Sequence, residues 1–166
     1  MLTRAADFLK KGVFPVSRAV GAIGVVVLVL MVLLIIAEVI ARRALDAPIA
    51  GRVELTSLSL ILVVFLTLAY CAAKGGHIEM DILTSRFPKR AQAGIGTLIH
   101  LLTTGMLGVA SWQLVVHGMK IQDMQQTSGV LAIEIYPFLY MAALGGTLLT
   151  LVYLIYFLYS LDEVRK

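Results

Sequence analysis

The stretch Ala19-Val-Gly-Ala-Ile-Gly-Val-Val-Val-Leu-Val-Leu-Met-Val-Leu-Leu-Ile-Ile-Ala-Glu-Val-Ile40 decides the architecture, because no charged side chain appears in it before Glu38. A helix needs about 20 apolar residues to cross the roughly 30 Å hydrocarbon core of a bilayer, and this run supplies them. Basic residues Arg4, Lys10, Lys11 and Arg18 precede it, as in a signal peptide. The run is longer than a signal-peptide core and no small-x-small cleavage site closes it, so it is expected to remain as a membrane anchor.

Three further runs repeat the pattern. Val53 to Ala73 is apolar after Glu54 and stops at Lys74-Gly75-Gly76; Ala91 to Val116 and Tyr136 to Tyr159 follow. The sequence therefore predicts an all-α membrane protein with spans at about 19–40, 53–73, 91–116 and 136–159, forming one four-helix domain over residues 1–166. Pro137 falls in the first turn of the fourth span, where its missing donor costs little. Clusters of Tyr and Phe at both ends of that span suit the two interfacial belts.

Composition agrees. The 166 residues are 60% hydrophobic and 14% charged, and mean hydropathy is +0.93, outside the range of soluble domains. The net charge of +4 and pI near 9.4 reflect basic residues between the apolar runs, which argues for membrane topology and against nucleic-acid binding. Ten of the 14 Lys and Arg residues lie on the side of the termini and of the loop between spans two and three; the other four are Arg42, Arg43, Arg52 and Lys120. The positive-inside bias places both termini in the cytoplasm.

Two short amphipathic segments are expected to lie at the interface. In the first, about residues 2–14, Leu2, Leu9 and Val16 recur on one face and Arg4, Lys11 and Arg18 on another, with Pro15 expected to break the helix and open the next. In the second, about residues 80–87, Met80, Leu83 and Phe87 share a face opposite Asp81 and Ser85. The loop from Lys120 to Glu134 is the most polar stretch on the opposite side and the natural contact for a soluble partner.

Few residues carry chemistry. Glu38 precedes Arg42 by one helical turn, so the carboxylate is expected to pair with Arg42, Arg43 or a group on another chain. Glu54 opens the second span, where the helix dipole favours a negative charge. His100 belongs to a stripe of Ala93, Thr97, Thr104, Gly108 and Ser111 on span three, which reads as a close-packed helical face holding a hydrogen-bonded neutral histidine. Ala142, Gly146 and Thr150 give span four a similar face. The single cysteine, Cys71, excludes an intrachain disulfide and reads as a small buried packing residue.

A haem bridged by two histidines needs both at one depth on different helices. His100 and His117 are about 25 Å apart along one helix, and His77 lies about two turns from the depth of His100. No hydrolase, phosphate-loop or zinc-protease motif is present, and the internal repeats and interrupted helices of a self-sufficient transporter are missing. No catalytic, cofactor or metal residue is assigned, and the chain is read as a non-enzymatic helper in a larger assembly.

The order of features resembles the small four-helix membrane subunit of tripartite ATP-independent periplasmic (TRAP) transporters. Glu38 and Arg42-Arg43 end span one, Pro48-Ile-Ala-Gly51 fills the short loop, and Glu54 opens span two. Phe65-Leu-Thr-Leu-Ala-Tyr70 then leads to Lys74-Gly-Gly-His-Ile-Glu-Met-Asp-Ile-Leu83. The Gly-His-Ile-x-x-Asp run, followed by Phe87-Pro88, is the most specific part. The chain departs from the family pattern at Ile135-Tyr-Pro-Phe138, which lacks a nearby tryptophan. The resemblance implies a sodium-driven importer of a small organic acid in the bacterial inner membrane. A periplasmic binding protein would deliver substrate, and a large multi-span subunit would hold the sodium and substrate sites and move as an elevator. This chain would enlarge the stationary scaffold among membrane lipids, with no cofactor of its own. His77 and Asp81 would cap and orient the turn between spans two and three. The alternatives are a respiratory membrane anchor binding haem or quinone, which a Soret band would reveal, and a small enzyme acting on lipophilic substrates.

Overall fold

The structure, a computed structural model, describes residues 2–46, 49–74 and 89–164. Four helices account for nearly all of them: α1 (Leu2–Leu45), α2 (Arg52–Ala73), α3 (Lys89–Asp123) and α4 (Tyr136–Val164). Each contains a stretch long and apolar enough to cross a membrane. Helices suit such a sequence because every backbone N–H and C=O is satisfied within the segment. At 1.5 Å per residue α1 is about 66 Å long and α3 about 52 Å, so both extend well beyond a hydrocarbon core of about 30 Å.

Pro15 does not end a helix, contrary to the sequence-based expectation; α1 runs through it without a break. The proline removes one hydrogen bond to the Lys11 carbonyl and crowds that oxygen, at a cost of roughly 3 kcal/mol. Side chains on both sides of the proline hold the two halves in line. Val13 is buried in the main core cluster, with Leu9 and Phe14 packed against it, and Ser17 is fully buried. Residues 2–14 thus form the start of α1, and the expected interfacial helix at 80–87 lies outside the described residues.

Helix α4 is the centre of the packing and touches the other three, whereas α3 packs on α4 and α1 lies across α2 and α4. The core includes Leu66, Ala69 and Ala72 from α2 and Ala142, Leu149, Val152 and Ile155 from α4, with Val13 joining it from α1. Small residues set how closely the axes approach, as expected where no hydrophobic drive separates helix contacts from lipid contacts. Gly145 and Gly146 show this best. Being adjacent, they point about 100° apart around α4, towards two different helices. A Cβ on Gly145 would stand 2.5 Å from the Phe65 carbonyl oxygen of α2, and one on Gly146 would stand 2.7 Å from Ser111 Oγ of α3. On α1, Gly21 and Gly24 make the same accommodation for Tyr70 and Thr67.

Cys71 is exposed, not buried as the sequence suggested. The buried face of α2 passes through Leu66, Ala69, Ala72 and Ala73, leaving Cys71 on the outer side. Apolarity does not distinguish the two faces when the surroundings of the helix are lipid.

Candidate functional site

The polar features gather at the end of the bundle that carries the α1–α2 and α3–α4 connections. Glu38 is only 3% exposed, and its carboxylate is held by two guanidiniums. Arg42 Nη2 donates to Glu38 Oε2 at 3.2 Å from one turn along α1, and Arg52 Nε approaches the same oxygen at 3.5 Å from the first residue of α2. A buried carboxylate is tolerated only when it is paired in this way. The Arg42 partner was expected; the cross-helix partner is Arg52, which the pairing rule within one helix does not reach.

Two residues further on, Glu54 reaches across to the α3–α4 connection. Its Oε1 accepts the Val130 N–H at 2.7 Å and its Oε2 accepts the Leu131 N–H at 3.0 Å. Gly51 makes room for this approach. Its φ of 77° starts α2 from the left-handed region, and any Cβ there would collide with Leu131. The carboxylate therefore ties the first turn of α2 to the α3–α4 connection, far away in sequence, beyond its expected interaction with the dipole of α2. An open cavity of about 410 Å³ is bordered by Glu38, Arg52, Val53, Glu54 and Val130.

The α3–α4 connection is ordered by its own hydrogen bonds. Helix α3 closes with the Gln126 N–H donating to the Ile121 carbonyl and the Gln125 N–H to the Gln122 carbonyl, a Schellman arrangement with Gln125 at positive φ in place of the usual glycine. The Ser128 N–H donates to the Ile133 carbonyl at 2.9 Å, and the Ile133 N–H returns to Ser128 Oγ at 3.1 Å. An isolated bridge pairs Thr127 with Glu134, and Tyr140 Oη donates to Gln122 Oε1.

Along the α3–α4 seam the small polar stripe is engaged as its spacing predicts. Thr97 Oγ1 and Ser160 Oγ are 2.7 Å apart, and Ser111 Oγ donates to the Leu107 carbonyl and lies 3.5 Å from Thr150 Oγ1. His100 sits in this seam, with its ring centroid 6.4 Å from that of Tyr153 and 6.0 Å from that of Tyr156. Its buried Nδ1 has no hydrogen-bond partner among the described residues, so the packed position expected of this histidine is present while a hydrogen bond at that nitrogen is not. His77 and Asp81 lie outside the described residues.

The four candidates that can be placed therefore do not form one centre. Glu38 and Arg42 pair at the connection end, Glu54 clamps a neighbouring loop, and His100 lies apart from both in the α3–α4 seam. Sequence reasoning missed Arg52, Val130 and Leu131. Arg52 carried the signal of a charge beside a helix start, but the other two act through backbone N–H groups, which every residue but proline owns. Between the ends of the bundle, residues 19–37, 55–73, 91–119 and 138–161 contain no Asp, Glu, Lys or Arg. The outward faces of α1 and α3 are broadly apolar: Val26, Leu30 and Leu33 on α1 and Leu102, Met106 and Trp112 on α3 are each more than half exposed.

This fold defines a class, the four-span helical membrane protein whose charges are confined to its ends. A model of the family described as tripartite ATP-independent periplasmic transporters, DctQ component, matches residues 31–163. The chain belongs to this family, the small permease component of TRAP transporters, and is thus an inner-membrane transporter component and not an enzyme. No curated protein and no solved structure matched it.

Proposed function

We propose that this chain is the stationary scaffold subunit of a sodium-coupled importer of a small organic acid. It works with a large elevator-type membrane subunit and a periplasmic substrate-binding protein. The observation that carries this reading is the absence of any charged side chain across the middle of all four spans. A substrate carboxylate has no charged partner there, and the four helices run through that region without the unwound segments whose carbonyls would hold a sodium ion. Both sites are therefore placed on the large subunit, and no cofactor is assigned to this chain. Its contribution is mechanical. A moving domain needs a partner fixed in the bilayer, and long helices with uncovered apolar faces and basic ends supply such an anchor. The distribution of Lys and Arg supports placing both termini in the cytoplasm, with the α1–α2 and α3–α4 connections on the periplasmic side.

The test is co-purification and reconstitution. Tagged chain is expected to carry a much larger multi-span protein out of mild detergent. In liposomes it should move no organic acid alone and restore sodium-driven uptake when the large subunit and binding protein are added. Uptake by the isolated 18.0 kDa chain would overturn the proposal.

A further inference from the structure

The clamp between Glu54 and the α3–α4 connection joins two elements that the helix packing does not require to meet. Glu54 spans the N–H groups of Val130 and Leu131, while Leu131 closes over Gly51. The segment they hold is already folded on itself through Ser128 and Ile133. A connection fixed from within and from a neighbouring helix has little conformational freedom left to lose on binding, and this favours affinity by pre-organisation.

What the fixed loop presents is specific. Met124 is 73% exposed and Val130 66% exposed. Around them stand Gln122, Asp123, Gln125, Gln126, Thr127 and Glu134, and from Ile121 to Ile135 there is no Lys or Arg. Isolated apolar side chains in a polar rim describe a protein-contact surface. Lys120 adjoins the loop on its α3 side and Arg52 borders the cavity beside Val130, so the acidic excess belongs to the loop itself, through Asp123 and Glu134, and it is complementary to a basic protein face.

We infer that Glu54 is a positioning residue that holds the α3–α4 loop in the shape docked by the soluble periplasmic binding protein, through a basic patch with an apolar centre on that partner. The inference rests on the proposed function and adds to it the contacting surface and the residue that shapes it. Glu54 does not touch the partner; it acts through the backbone of Val130 and Leu131.

The test uses the complex of this chain with its large subunit in nanodiscs, and the purified binding protein as probe. With a photoreactive side chain in place of Val130, illumination is expected to join this chain to the binding protein, and about 1 M salt to reduce the yield. Glu54→Gln replaces one acceptor oxygen by a donor that faces an N–H, and should weaken binding roughly tenfold while the yield of complex stays at wild-type level. Asp123→Lys leaves the clamp intact and suits the end of α3, so it keeps the loop folded; it should weaken binding several-fold and flatten the salt dependence. Crosslinks only to lipid or to the large subunit, or wild-type affinity in both variants, would overturn the inference while leaving a co-purifying complex and the proposed function intact. A wild-type chain that fails to retain the large subunit would remove the proposed function, and this inference with it.

Discussion

The Glu38 carboxylate lies 3.5 Å from Arg52 Nε across the α1–α2 turn, in addition to its 3.2 Å contact with Arg42 on its own helix. The two arginines are not equivalent. The Arg42 side chain is 59% exposed and that of Arg52 30%, so Arg42 regains water readily when the pair is broken and Arg52 does so less. Glu38→Ala should lower the stability of the detergent-solubilised chain by about 3 kcal/mol, and Arg42→Ala by about 1 kcal/mol. Combined with Arg52→Ala, the Glu38→Ala effect should be less than additive in a double-mutant cycle, because the two residues share one interaction. Additive losses in thermal melts would show that the cross-helix pair is not formed.

The paired glycines of α4 give a graded prediction. Gly145→Ala drives a methyl group into the Phe65 backbone, which cannot rotate away, so α2 and α4 must separate. A loss of about 3 kcal/mol is expected, at the upper end of overpacking costs. Gly146→Ala meets the Ser111 hydroxyl, a side-chain atom that can turn at the expense of its bond to Leu107, and should cost about half as much. Gly105→Ala on α3 meets nothing within 4 Å among the described residues and should stabilise the isolated chain by about 0.5–1 kcal/mol through backbone entropy alone. Melting temperatures of the three variants in one detergent check the order, and a Gly145→Ala chain as stable as wild type would refute the close α2–α4 approach.

The four spans were legible because lipid demands long uncharged runs, and the α3–α4 seam because small and hydroxylated residues recur at helical spacing from Thr97 to Ser111. The Glu38–Arg42 pair was legible for the same reason, since both residues lie on one helix. Three features were not. Pro15 was expected to break α1, because the local rule knows nothing of Val13 and Ser17 packing on either side of it. Cys71 was expected inside, because in lipid an apolar residue has no preferred side. The Glu54 clamp was hidden because its partners are the backbone N–H groups of Val130 and Leu131, and because the chain reversal that brings residues 54 and 130 together is a tertiary fact.

His100 separates a ligand role from a packing role. Its Nδ1 is buried without a hydrogen-bond partner among the described residues, and its ring stands near those of Tyr153 and Tyr156. An unsatisfied buried polar atom is costly, and removing it with a side chain of similar shape relieves that cost. His100→Phe should therefore leave the melting temperature unchanged or raise it, and uptake by the assembled transporter should remain at wild-type level. A specific loss of uptake with normal assembly would instead assign the imidazole a working role.

Pro15 offers the last test, because its cost is local while its setting is tertiary. The ring removes the hydrogen bond that residue 15 would donate to the Lys11 carbonyl, yet α1 continues, with Val13 and Ser17 buried on either side. If the contacts of Leu9, Val13 and Phe14 with the α2–α4 core hold the two halves in line, Pro15→Ala restores the missing bond without moving them. The chain should gain up to about 3 kcal/mol, read as a higher melting temperature, with helical content by circular dichroism almost unchanged. A large rise in helical content would mean that α1 is broken at Pro15 in the wild-type chain and that residues 2–14 stand apart as a separate helix. Val13→Ala provides the complementary reading. It removes the buried contact on the amino-terminal side of the proline and should lower stability by about 1–2 kcal/mol, and if that contact bridges the interruption, the loss should be smaller in the Pro15→Ala background.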